Sequence, residues 1–335
     1  MHIGGVASAD ELWVQDVSST NTNAYATQDF ETSSDAYDIF WADDFVVPSG
    51  KTWIIESIHV NGDCWNTASP NLLNASSLNC YIFANASGDV PDGMPAGYGG
   101  DGIWQESWSP SDANVTISNG SLGTPCSWDV DVVTPPVLSE GVYWLACYPA
   151  MDLSVGGQWG FNVSDTTNGF VAKVVNPGGG FGFPTTWTDI NDASTFGSIG
   201  LTQQDVAFSL YGTEGSTPVV SSIDPSEGTN DGVVSVTITG ENFVEGDTDA
   251  KLSGPAKADI PASNLTVVDA NTLTCDFDLT GAEPGMYDVV VTTLYGEGVL
   301  EDGFEVTEPA ADDDTDDDDD TGDDDDDNGG CGCAF

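Results

Sequence analysis

The chain has 335 residues, and its 56 acidic side chains stand against 4 basic ones, a formal net charge of −52. A surface of that sign repels phosphate, which excludes nucleic acid and anionic membrane surfaces as partners and leaves soluble cations as the natural company. Hydrophobic residues make up 39% of the chain, enough for cores in about two domains, and no stretch approaches the ~18 consecutive apolar residues of a membrane helix. The 13 aspartates of 312–327, taken from −52, leave −39 on the rest, so the acidity belongs to the folded part as well. Self-repulsion on that scale calls for screening counterions, and a saline or calcium-containing medium is the expected habitat.

Residues 1–9 read as the remnant of a secretory leader, with Ala7-Ser8-Ala9 in the small-x-small form of a cleavage site. From Asp10 to Gly212, helix signals are nearly absent. Alternating apolar stretches recur between clusters of Gly, Asn, Asp, Ser and Pro, an all-β pattern. "FVVPSGKTWIIESIHV" predicts strand, turn, strand, with Pro48-Ser49-Gly50 as the turn. "GVYWLACY" is apolar on both faces, as a central strand should be, and "DVAFSLYG" alternates. Residues 213–217 read as a linker, 218–307 as a second, smaller all-β unit, and 308–335 as an acidic low-complexity tail ending in Cys331-Gly332-Cys333. All ten tryptophans precede residue 190, which marks the boundary between the two units.

In the second unit, Pro225, Gly232, "VTITGENF", "NTLTCDFDL" and the Gly-x-Tyr strand at Gly285–Tyr287 resemble the IPT/TIG family of immunoglobulin-like domains. That resemblance implies a β-sandwich of about seven strands. The alternation in "TLTCDFDL" points Leu273, Cys275, Phe277 and Leu279 inward, so Cys275 is expected to be a buried, unpaired thiol. The first unit resembles secreted bacterial jelly-roll-like β-sandwich domains through "WADDFVVPSGKTWIIESIHV" and "NPGGGFGFPTTWTDI", a likeness that carries no activity. In the tail, Gly329–Cys333 resembles the front of a MYXO-CTERM-type sorting signal, which implies attachment at the cell surface through Cys331 and Cys333.

Cys64, Cys80, Cys126 and Cys147 form an even set that fits two disulfides in an exported protein. Three pairings are possible, and nearness in sequence favours Cys64–Cys80 with Cys126–Cys147. Catalytic signals are sparse. His59 is the one histidine outside the presumed leader and reads as a strand residue with a satisfied hydrogen bond, and no phosphate-binding loop or dinucleotide fingerprint is present. Glycoside hydrolysis needs only two carboxylates and stays open as a lesser alternative to a non-catalytic role.

Carbohydrate binding is the leading expectation. Trp104 and Trp108 in "GDGIWQESWSPSD", Trp65 in "GDCWNTASPN" and Trp187 in "FPTTWTDIND" read as loop tryptophans whose faces would stack on sugars. Calcium is the expected metal, because hard oxygen ligands on sandwich loops suit it. Asp35, Asp38, Asp43 and Asp44 form one candidate group, and Asp189 and Asp192 another. The expectation is therefore a protein exported to the cell surface by a cleaved signal peptide, binding a glycan or another surface protein. A surface-layer or filament subunit that associates with its own copies is the alternative.

Overall fold

The structure is a computed structural model that describes residues 9–66, 71–95, 97–100, 102–118, 126–192 and 201–310. The presumed leader up to Ser8 and the tail with Cys331 and Cys333 lie outside these residues. What is described is almost entirely strand, in two sandwich-like units.

The first unit is organised by one long strand, Phe40–Val60. It pairs with Val137–Ala150 along one edge and with Phe208–Gly215, Ser127–Asp131 and Lys173–Val175 along the other parts of its length. Val137–Ala150 pairs in turn with Ser77–Ala86, so the strand around "GVYWLACY" is central, as its two apolar faces predict. A smaller sheet of Ala24–Ala26, Gly62–Trp65, Gln158–Ser164 and Asp205–Val206 packs across from it. The main core fills the space between, with Trp41, Phe45, Ile58 and Val60 from one sheet meeting Trp159, Phe161 and Val163 from the other.

The large sheet is covered on its outer face too. Phe40, Ala42, Phe83, Trp144, Ala146, Tyr148 and Val175 form a second buried layer, closed by Met94, Tyr98, Phe170 and Trp187. Successive residues of a strand point to opposite faces. On Phe40–Val60 the odd positions Trp41, Phe45 and Val47 therefore enter the main core, and the even positions Phe40 and Ala42 enter the outer one. A strand buried on both faces leaves its polar residues no route to water.

The expected turn at Pro48-Ser49-Gly50 does not reverse the chain. Both flanks run antiparallel to the same partner strand, with Val47 opposite Gly141 and Thr52 opposite Ser139. The intervening residues bulge outward, Gly50 takes φ of +73°, and Glu140 fastens the bulge by accepting from Gly50 N at 2.6 Å and Ser49 Oγ at 2.8 Å. A glycine tolerates that left-handed backbone without strain. The expected linker at 213–217 is also shorter than its composition suggests, because Thr213–Gly215 continue the strand opposite Ile54, Trp53 and Thr52.

The disulfide pairing favoured by sequence nearness is corrected: the bonds are Cys64–Cys126 and Cys80–Cys147. Cys80 and Cys147 sit directly opposite one another on neighbouring strands. Cys126 N donates to Gly62 O at 2.6 Å, which seats Cys126 beside the strand of Cys64, while the strand register gives Cys80 to Cys147. The bonds span 62 and 67 residues, and cross-links that close longer loops restrict the unfolded chain more.

The second unit runs Val219–Asp224, Val233–Glu241, Thr272–Asp278, Ile260–Asp269, Asp249–Ser253, Gly285–Thr293, Gly296–Thr307 and Glu227–Thr229 in strand order. All but the last contact are antiparallel. Glu227–Thr229 lies parallel to Glu305–Thr307. Leu273, Cys275, Phe277 and Leu279 are buried, as the alternation predicts, and burial pushes the free Cys275 thiol up to about 12, which keeps it unreactive.

Candidate functional site

The expected tryptophan platform turns inward. Trp104–Trp108 is a strand, not a loop, and pairs with Ser77–Ala86. Trp104 and Trp108 share its inner face, their rings 6.3 Å apart, while Gln105 and Ser107 face outward. Trp108 is buried in the main core, and the Trp104 indole donates to Thr134 O at 2.8 Å. Trp187 donates to Gly93 O at 2.7 Å and closes the outer core. Trp65 is half-buried at the end of Gly62–Trp65, opposite Gln158. The alternating "WQESW" pattern is the sequence signal that distinguishes this strand from a loop.

An aromatic hollow of about 190 Å³ lies elsewhere, lined by Tyr25, Ile39, Trp41, Phe181 and Phe183 with Ala24 and Ala26. Tyr25 stacks on Trp41 at 5.4 Å, and Phe181, one of the more exposed large side chains, packs edge-on against Tyr37 at 5.2 Å.

The six candidate metal ligands separate into three places. Asp35 and Asp38 join Asp29, Tyr98 and the backbone of Gly97 and Gly178 around a hollow of about 350 Å³. Asp38 accepts from Phe30 N at 2.8 Å and from the Tyr98 hydroxyl at 2.5 Å. Burial beside Asp38 and Asp35 pushes the Asp29 carboxyl up to about 6. Asp189 is ion-paired with Lys173, whose ammonium also lies 5.6 Å from the centre of the Trp144 ring. Asp192 stays on the same turn, its N–H donating to Asp189 O.

Asp43 and Asp44 are fully buried, with Asp205 beside them. Asp43 points to the main core and is well satisfied: Oδ2 accepts from Gln15 Nε2 at 2.8 Å and Val206 N at 2.7 Å, and Oδ1 from Asp44 N at 3.0 Å. Asp44 points to the outer face, where Oδ1 accepts from Phe170 N at 2.8 Å, and Asp205 Oδ2 accepts from Asn168 N at 2.7 Å. Asp44 Oδ2 and Asp205 Oδ1 are buried without a hydrogen-bond partner. Burial pushes the Asp44 carboxyl up to about 7 and that of Asp205 up to about 6, and burial beside Asp205 raises Asp43 as well. Asp29 and Asp205 escaped sequence reasoning. Asp205 lies 161 residues from Asp44, and tertiary contacts bring it into place: Val206 N donates to Asp43, while Asn168 N and Phe170 N of one loop donate to Asp205 and Asp44.

Among the described residues, no group of three or more histidine, cysteine or acidic side chains is arranged to hold a metal ion. His59 is engaged on both ring nitrogens, at 2.6 Å from Asp129 Oδ1 and 3.2 Å from Asn61 Oδ1, the satisfied strand histidine that its sequence setting implies. Among the described residues, no helix is long and apolar enough to cross a membrane.

Residues 218–294 match the family model of the IPT/TIG domain. That match agrees with the immunoglobulin-like sandwich of the second unit. No curated protein matches the chain.

Proposed function

We propose that the chain is an exported, non-catalytic protein of the cell surface. Its first unit contacts a carbohydrate or another surface protein, its IPT/TIG unit acts as a spacer, and its acidic tail attaches through Cys331 and Cys333. The observation that carries this reading is the pair of disulfides in the first unit of a chain of net charge −52. Such bonds persist in oxidising compartments, and such a charge suits an ionic fluid. Fractionation of native cells tests it: the protein should follow the envelope, with the four cysteines of the first unit protected from alkylation. Recovery from the cytosol with all four alkylated overturns the reading.

The aromatic hollow supports the carbohydrate part of the proposal, because flat rings around a volume of that size suit the apolar face of a sugar. On a glycan array, Phe181→Ala should lose retention with its thermal transition unchanged, and equal retention removes the hollow as the binding face. Calcium is proposed as the ion that supports the loops of the first unit, consistent with its surplus of carboxylates. The hollow of Asp29, Asp35 and Asp38 favours one competing reading, a carboxylate-based glycosidase, since Asp29 is raised into the range of an acid catalyst. Turnover of aryl glycosides that disappears in Asp29→Asn would establish it in place of the non-catalytic reading.

A further inference from the structure

This chain satisfies its carboxylates generously elsewhere. Asp165 accepts from Ser18 Oγ, Ser19 N, Thr20 Oγ1 and Gln203 Nε2, and those donors hold it well below the usual carboxylate range. Against that background, two fully buried carboxylates with one bare oxygen each stand apart. Buried polar atoms are nearly always partnered, and an ionised carboxylate out of water is costly unless a cation or several donors meet it.

The geometry brings the two together. The donors that hold Asp205 and Asp44 are the amides of Asn168 and Phe170, two residues apart on one exposed loop. Between them sits Gly169, at φ of +65°. A Cβ built there would stand 1.9 Å from Asp44 Oδ2, so the bare oxygen lies directly against the glycine backbone and only glycine fits. One oxygen of each carboxylate is thus fixed by the loop, and the other has no donor.

None of the four lysines meets these oxygens. Lys173, whose charge is felt at Asp44, is ion-paired with Asp189. Lys51 is paired with Glu214, Lys251 with Asp259, and Lys257 donates to the carbonyls of Pro284 and Met286. Asp43 is no third ligand, because it faces the opposite side of the strand with its oxygens occupied.

The geometry points to a binding site for a divalent hard cation, of which calcium is the type, held by Asp44 Oδ2 and Asp205 Oδ1 under the loop of residues 165–170. Two carboxylates neutralise a divalent charge. Carbonyls of the loop and water would complete the six to eight oxygens that calcium prefers. The loop is exposed above the pair, which gives an ion a short way in. This inference rests on the calcium reading given above and narrows it to one place.

Trivalent terbium, which takes the same oxygen ligands, tests the site in the full chain. Trp144 lies directly opposite Asp44 on the neighbouring strand, close enough to sensitise terbium emission, whereas the aspartate-rich tail contains no tryptophan. Excitation of tryptophan should give saturable terbium emission that calcium displaces. Asp44→Asn and Asp205→Asn, each nearly isosteric, should reduce the apparent affinity at least ten-fold with unchanged circular dichroism, and Asp29→Asn should leave it intact. Emission that survives both substitutions, or that Asp29→Asn removes, overturns the site. If calcium still raises the melting temperature of Asp44→Asn and Asp205→Asn as much as that of the wild type, this site falls and the broader calcium reading stands. If calcium leaves the wild type unmoved as well, both fall, and protons alone neutralise the pair.

Discussion

The two units differ in whether they enclose acidic residues. In the first, Asp29, Asp38, Asp43, Asp44, Asp63 and Asp205 lie in or beside packed cores, and burial raises every one of them. In the second, the shifted aspartates stand on the surface and are lowered by donors: Asp259 by Lys251 and Ser253, Asp276 by Ser235 and Asn264, Asp278 by Thr280. Carboxylates thus stand on the surface of both sandwiches, Asp165 and Glu140 among those of the first, but only the first also encloses them. The difference follows from layering: a sheet covered on both faces has no wet side on which to put a carboxylate, while a sandwich with an exposed outer face does. Acidity that serves only solubility would follow the second pattern throughout, so the first calls for a different cause.

The largest test of this contrast is Asp43→Ala. It removes one of the two acceptors of Gln15 Nε2, leaves the amides of Asp44 and Val206 without theirs inside the core, and should cost about 3 kcal/mol or more. All ten tryptophans precede residue 190, so their fluorescence follows the first unit alone during urea unfolding. Asp278→Ala should leave the exchange protection of the second unit near that of the wild type, and equal damage from the two substitutions would dissolve the contrast. Next comes the Cys80–Cys147 bond, whose removal as Cys80→Ala with Cys147→Ala should cost about 3–4 kcal/mol in the tryptophan transition. Among the described residues the second unit holds only the unpaired Cys275, and reductant should not move it.

The pH response separates the units further. A carboxyl raised on folding stabilises below its unfolded pKa, and that contribution is lost as pH rises through the folded value. For Asp29 the window runs from 3.8 to about 6. Asp29→Asn should therefore stabilise the first unit at pH 7.5 by about 1 kcal/mol, after allowance for its partial exposure, and by nothing measurable at pH 3.5. The lowered aspartates of the second unit work the other way: their contribution is present above the ordinary aspartate range and lost as pH falls through the folded values. Two-probe unfolding across pH checks both signs. The smallest effect belongs to His59, raised first of all by its hydrogen bond to Asp129. Its contribution is complete below pH 6.5 and fades as pH rises through the folded value. Asp129→Asn should remove about 0.5 kcal/mol at pH 6 and less at pH 8.5.

Much of the fold was legible because period-2 alternation survives tertiary context: Leu273 through Leu279 and the two-faced "GVYWLACY" strand lie as their patterns predict. Pairing across the chain was not legible. Cys80 meets Cys147, and Asp205 meets Asp44, through registers that no local pattern encodes. The tryptophans of "WQESW" were misread because Gly, Ser, Pro and Asp around them signal a loop, whereas the alternation within signals a strand. The sequence shows Asp43 and Asp44 as carboxylates, but their opposite fates follow only from the covering of both faces of their strand.

The parallel contact between Glu227–Thr229 and Glu305–Thr307 has a mechanical meaning for a spacer. It ties the entry of the IPT/TIG unit to its exit, with both strands running in one direction. A pull applied between the ends of that unit acts along these rungs in shear, so they must give way together instead of unzipping singly. Val219–Asp224, ahead of it in the chain and antiparallel to Val233–Glu241, shares that load.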